Sequence, residues 1–135
     1  MHPSEVNERV TKYMLAVQAH LNTVGHATNA DLLRVLHAEY PALSATTIHR
    51  ITTRMVERGE LRLAPATPEN AMRFDANLVP HDHFMCMGCG LIKDADISDA
   101  IRPLLEKSIG DGCAISGRLV VSGYCKQCAI DKEDA

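Results

Sequence analysis

His81-Asp82-His83-Phe84-Met85-Cys86-Met87-Gly88-Cys89-Gly90 decides how this chain is read, and Cys125-Lys126-Gln127-Cys128 completes it. Two thiolates separated by two residues form a knuckle that grips one face of a tetrahedral ion. Two knuckles make a four-cysteine set with no open position, the pattern of a structural zinc site rather than a catalytic one. Cys86, Cys89, Cys125 and Cys128 are four of the five cysteines; the competing explanations are two redox pairs or chance spacing. The histidines are not needed by the knuckles. On a strand at 81–85, His81 and His83 project from one face near the thiolates, and they pose the question of a second metal site.

The rest of the composition narrows the class. The 135 residues allow one ordinary domain or two small ones. Aromatic residues make up 4% and tryptophan is absent, so a small domain here gains from a metal staple. No stretch is apolar enough to span a membrane, and the N-terminus lacks the basic start and apolar run of an export signal. Paired cysteines in such a chain point to metal ligands in a reducing cytoplasm rather than to disulfides. The net charge of -3 excludes a bulk polycation that coats nucleic acid, but not a local basic face. Residues 1–75 carry eight basic and eight acidic side chains, whereas 76–135 carry six and nine. The first half is therefore the better candidate for facing DNA, and the second for binding cations.

N-terminal to the quoted stretch, three helices and a hairpin are expected. Ser4 can cap a first helix, along which Val6, Val10, Tyr13, Met14, Val17 and Leu21 recur on one face. Gly25 and His26 fall in the turn after it. Thr28-Asn29-Ala30-Asp31 resembles a capping box, and Leu32, Leu33, Val35, Leu36 and Tyr40 form the stripe of a second helix that Pro41 ends. Ser44 caps a third helix with Leu43 as its staple; Ile48, Ile51, Met55 and Val56 face inward and Gly59 stops it. Alternating segments at 61–64 and 72–75 predict a β-hairpin. Three helices and a hairpin suggest a winged helix-turn-helix. The outward positions of its third helix hold Thr46, Thr47, His49, Arg50, Thr53 and Arg54, side chains able to reach phosphates and base edges. An ordinary solvated helix face is the alternative.

The expected organisation is α+β: a winged-helix DNA-binding domain at 1–76, a hinge at 77–80, and a small α/β dimerisation domain at 81–135 with the four-cysteine zinc site. In that second domain the pattern predicts strands at 81–85, near 91–93 and near 114–122, a helix around 98–109, and a frayed acidic tail from Asp131.

The combination of a histidine pair, a first knuckle and a distant second knuckle behind a winged helix resembles the ferric uptake regulator (Fur) family of metal-dependent repressors. The resemblance runs over nearly the whole chain and implies a homodimer on a palindromic operator in double-stranded DNA, with no enzymatic activity, membrane or small-molecule substrate. It also implies a regulatory metal at the hinge, held by His26, Asp75, His81, His83 and Asp94. Such a set of nitrogens and carboxylates without sulfur suits Fe²⁺ or Mn²⁺ better than a soft-ligand zinc sensor. Aspartate at both 75 and 94 is most similar to the peroxide-sensing (PerR-like) branch, in which His26 and His81 are the imidazoles that iron and peroxide oxidise. An iron, manganese or zinc uptake regulator without peroxide sensing is the alternative within the family.

Three departures from the family pattern stand out. Pro80, Ile101 and Gly117 occupy positions where some relatives hold a further metal, so that site is expected to be absent. His49 replaces a usual tyrosine on the recognition helix, which implies a changed operator. The leading segment is shorter than usual. Cys113 reads as a core residue, and His2, His20 and His37 as surface residues. Two other classes compete: a zinc hydrolase would need an open coordination position and a substrate pocket that nothing marks, and a zinc-ribbon interaction module would leave His26, Asp75, His81 and His83 without roles.

Overall fold

The structure, a computed structural model, describes residues 3–79 and 81–134; the side chains of residues 3–9 and 134, and all of His2 and Pro80, lie outside that description. The expected inward position of Val6 is among those side chains. The chain forms two compact units, Met1–Leu78 and Val79–Ala135.

The first unit is built on helices α1 (Pro3–Val24), α2 (Asn29–Leu36) and α3 (Ala45–Glu57). Helix α1 begins before Ser4, so Ser4 sits within it rather than capping it. Thr28 caps α2 with the full reciprocal box: its hydroxyl accepts from the Asp31 N–H at 3.1 Å, and the Asp31 carboxylate accepts from the Thr28 N–H at 3.1 Å. Ser44 caps α3 by accepting from the Thr47 N–H at 3.2 Å, and Gly59 leaves the helix at a positive φ of 73°. Val17, Leu21, Leu32, Leu36, Leu43, Ile48, Ile51, Met55, Leu61 and Phe74 form one buried cluster between the helices and the wing.

Two expectations for this unit need correction. α2 stops at Leu36, short of Pro41, with His37 as its C-cap. The chain then turns: the Tyr40 N–H returns to the Leu36 carbonyl at 2.8 Å, and the Tyr40 ring meets Tyr13 edge-on at 5.2 Å. Val35, expected in the apolar stripe, is exposed. His26 lies in a strand rather than in a free turn. β1 (His26–Thr28), β2 (Arg62–Ala64) and β3 (Arg73–Asp75) make an antiparallel sheet in the order β1-β3-β2, which adds a third strand to the expected hairpin.

In the second unit β4 (Asp82–Cys86) is the centre of a three-stranded sheet, antiparallel to β5 (Ile92–Ala95) and parallel to β6 (Val120–Gly123). Helix α4 spans Ser98–Ile109 and α5 spans Lys126–Asp134, so the acidic tail is helical rather than frayed. Residues 114–119 form no strand. Their backbone groups are taken up by side chains instead: the Arg102 guanidinium donates to the carbonyls of Ile115 and Gly117, Glu106 accepts from the Ile115 N–H, and Asp82 accepts from the Leu119 N–H. Cys113 is exposed, not buried. It follows a turn in which Gly110, Asp111 and Gly112 all have positive φ, and this turn carries it to the surface.

Among the described residues the two units differ sharply in their interiors. Every buried apolar side chain except Cys86 belongs to the first unit. Helix α4 buries none of its residues in the single chain.

Candidate metal centres and nucleic-acid face

The parallel pairing of β4 with β6 sets Cys86 opposite Gly123, so the two knuckles start side by side. Cys86 ends β4, Cys89 lies in the turn toward β5, Cys125 follows β6, and Cys128 sits in the first turn of α5. Their sulfurs lie within 4.8 Å of one another, and Cys89 Sγ is 3.9 Å from Cys125 Sγ. A tetrahedral ion with zinc–sulfur bonds of about 2.3 Å places its sulfurs about 3.8 Å apart, so the donor set fits zinc. Gly88 makes room for it, since a Cβ there would stand 2.9 Å from Cys128 Sγ.

The electrostatics point the same way. Backbone N–H groups of Cys125 and Cys89 aim at Cys86 Sγ from 3.3 and 3.5 Å and bring its thiol down to about 6. Cys128, facing Cys125 and Cys86, is pushed up to about 12. Four thiolates this close together would repel one another. A divalent cation removes that conflict.

The histidines and carboxylates form two groups, one in each unit. In the first unit His26 of β1 is the cross-strand partner of Asp75 of β3. His26 Nε2 lies 3.2 Å from Asp75 Oδ2, while Asp75 Oδ1 accepts from the Asn77 N–H at 2.8 Å. In the second unit, strand alternation puts His81 and His83 on one face, with ring centroids 4.4 Å apart, and pairs His83 with Asp94 across β4 and β5. His81 Nε2 is 3.0 Å and His83 Nε2 3.4 Å from Asp94 Oδ1. His81 Nδ1 is 2.7 Å from the Val79 carbonyl, which can only accept; Nδ1 therefore carries a proton, and in the neutral ring Nε2 offers its lone pair. A nitrogen lone pair facing a carboxylate oxygen suits a shared cation, and the set contains no sulfur.

Asp82, between the two histidines, points to the opposite face and is buried. The Leu119 N–H and the Ser98 hydroxyl, both donating to its carboxylate, hold that group below the usual range against the opposing effect of burial. Arg102 donates to Ser98 Oγ at 2.9 Å and locks this network to α4. The sequence reading missed this anchor, although an aspartate between two projecting histidines was a visible sign of one.

On α3, Thr46, His49, Arg50 and Arg54 are exposed, and Thr47 and Thr53 are half-buried. All but Thr46 border a hollow of about 450 Å³, which Val10 of α1 and Glu57 also line. Thr52, absent from the inward positions expected for α3, is fully buried. His37, on the surface as expected, lies 2.9 Å by its Nε2 from the Leu43 carbonyl. Of the positions where relatives hold a further metal, Gly117 gives its carbonyl to Arg102, Ile101 is exposed on α4, and Pro80 lies outside the described residues.

A winged helix followed by an α/β unit with a tetrathiolate group and a histidine–carboxylate group fits a metal-responsive DNA-binding regulator. The chain belongs to the ferric uptake regulator family, whose model matches residues 5–114. It is a metal-dependent transcription regulator and not an enzyme. It is similar to the peroxide operon regulator of Bacillus subtilis, with 26% identity over 128 residues covering 93% of this chain and 87% of that protein. It is also similar to transcriptional regulator FurA of Mycobacterium tuberculosis, with 24% identity over 124 residues covering 90% and 84%. The iron-containing ferric uptake regulator of Francisella tularensis shares the fold, with a TM-score of 0.70 at 20% identity over 87% of this chain and 91% of that one. No helix among the described residues is long and apolar enough to cross a membrane.

Proposed function

We propose that the chain is a homodimeric repressor whose corepressor is a single divalent ion taking His26 and Asp75 from the first unit and His81, His83 and Asp94 from the second. Zinc on Cys86, Cys89, Cys125 and Cys128 holds the dimerisation domain and does not respond to signals. The observation that carries this reading is the division of one sulfur-free ligand set between the units: two side chains paired at 3.2 Å in the first, three converging within 3.4 Å in the second. His26 and Asp75 would add two donors to the two-histidine, one-carboxylate set of the second unit, so an ion gains coordination where both groups reach it. An ion that needs both favours the arrangement in which residues 77–80 bring them together, and only to the extent of its preference for it. Fixing the units fixes the spacing of the two α3 helices in a dimer, which a palindrome requires. The test is titration of the zinc-loaded protein against a duplex selected from a randomised pool, with Mn²⁺ and with chelator. Equal affinity in both would rule out corepression.

The dimer reading has its own support. Val120 and Val121 of the edge strand β6, Tyr124 just after it, and Ile101, Leu104 and Ile109 of α4 are between 38% and 60% exposed. An exposed apolar edge strand and an exposed apolar helix face are surfaces that a second copy can cover.

Arg54→Ala is expected to weaken operator binding by about 1–3 kcal/mol if the guanidinium reads a base, and by less, uniformly across sequences, if it touches phosphate only. Parallel titrations on the selected duplex and a scrambled one distinguish the two.

The finer reading is peroxide sensing, supported by aspartate at both 75 and 94 and by the similarity to the Bacillus subtilis regulator. A bound Fe²⁺ would catalyse oxygen transfer from peroxide to a ring carbon of His26 or His81: the C–H would become C–OH, the imidazole giving two electrons to peroxide, whose second oxygen leaves as water. The weakened imidazole would then release the ion. Mass spectrometry of tryptic peptides after brief peroxide exposure should show that added oxygen with Fe²⁺ and not with Mn²⁺. An iron form that stays unmodified while still repressing would place the chain with the uptake regulators.

A further inference from the structure

One side chain of α3 has its hydrogen-bonding character set from another helix. Asn29 is the first residue of α2, and Thr28 already fills the capping role that an asparagine can serve. Its amide instead lies between a buried hydroxyl and an exposed ring. Thr52 Oγ1 is 2.8 Å from Asn29 Oδ1, closer than to its alternative acceptors, the carbonyls of Ile48 at 3.1 Å and His49 at 3.2 Å. A hydroxyl has one proton, and the shortest contact takes it. With Oδ1 committed to Thr52, Asn29 turns its NH₂ toward His49, with Nδ2 3.4 Å from Nδ1. That NH₂ can only donate, so His49 Nδ1 must be the lone-pair nitrogen and the ring proton sits on Nε2.

We infer that Thr52 and Asn29 fix His49 in its Nε2–H tautomer, so that the recognition helix offers the major groove a single donor at this position. Such a donor matches purine N7, guanine O6 or thymine O4, and is mismatched with the amino groups of adenine and cytosine. Asn29 and Thr52 are thus positioning residues for base readout, although neither has to touch DNA. The inference rests on α3 being the recognition helix, but the tautomer can be measured without DNA.

The first measurement is nitrogen NMR on histidine-labelled, zinc-loaded protein at a pH where His49 is neutral. The expected result is a proton on Nε2 in the wild type. Asn29→Asp replaces the donor by a carboxylate that can only accept, and should move the proton to Nδ1. Thr52→Val should leave a mixture of tautomers. A wild-type ring with its proton on Nδ1, or mixed to the same degree as in Thr52→Val, would overturn the inference.

The second measurement uses a pool of duplexes randomised in sequence, with Mn²⁺ present. His49→Ala identifies the base pair that this side chain reads, as the position where preference is lost. Asn29→Asp should then shift preference there toward an exposed amino group, by roughly fivefold, the factor that about 1 kcal/mol of net hydrogen bonding gives. Unchanged preference in Asn29→Asp, with the tautomer inverted, would overturn the role in readout. Failure of the wild type to select any duplex would instead overturn the repressor reading on which that role rests.

Discussion

Replacing Cys86 by serine is expected to remove the zinc, the dimer and the fold of the second unit together. The size of this effect follows from what else holds that unit. Among its described residues the one fully buried apolar side chain is Cys86 itself, and the other buried groups, Asp82 and His83, are polar. Whole domains are stable by only about 5–15 kcal/mol, and a structural zinc contributes about 10–16 kcal/mol of apparent binding free energy. In a unit without an apolar core, that term exceeds anything burial can supply. Zinc content should fall from one per chain to near zero, sedimentation should report a monomer, and the thermal transition of the second unit should disappear. Cys113→Ser should change none of these, because Cys113 is exposed and stands outside the tetrathiolate group. A Cys86→Ser protein with full zinc and a normal transition would defeat the assignment.

The second large effect is expected at the histidine and carboxylate ligands. Chelating the regulatory ion, with zinc left in place, should lower operator affinity by about 5- to 150-fold, the usual range for coupling between two binding sites. His83→Ala should bring the protein to the same low affinity and make it indifferent to added Mn²⁺. His83 is the stringent choice because it is buried at the centre of its sheet and faces Asp94 across the strand pair. Its loss should leave zinc and dimer unchanged, which separates ligand loss from unfolding. Coupling is reciprocal, so saturating operator DNA should tighten Mn²⁺ binding by the same factor. Metal affinity that DNA does not change would contradict the linkage.

Much of this architecture could be read from local chemistry. The knuckles, the histidine pair, the capping box at Thr28 and the cap at Ser44 each depend on residues a few positions apart, and each is found where the sequence placed it. Features that depend on distant partners were not legible. β1 is three residues long and has no alternating pattern of its own; it is a strand because β3 supplies its hydrogen bonds. α2 stops four residues before Tyr40 because the Tyr40 ring is needed against Tyr13, in a helix that precedes it in the chain. Residues 114–119 fall within the stretch expected as a strand, yet Arg102, Glu106 and Asp82 claim their backbone groups. Thr52 and Asn29 each look ordinary in sequence, and acquire meaning only from the hydrogen bond that joins them across 23 positions. Cys113 was misplaced because a preference for burial says nothing about a turn that carries the residue outward.

The contrast between a first unit with a full core and a second without one has a consequence for the life of the protein in a cell. As it is synthesised, the winged helix can collapse on its own apolar side chains, while the segment that follows waits for an ion and a partner. Chains that obtain neither expose β6 and α4 to chaperones and proteases, which act on just such surfaces. On the proposed reading, zinc supply sets how many molecules survive, and the regulatory ion sets how many of the survivors bind DNA. A cell short of zinc would lose repression through protein turnover, even with iron or manganese plentiful.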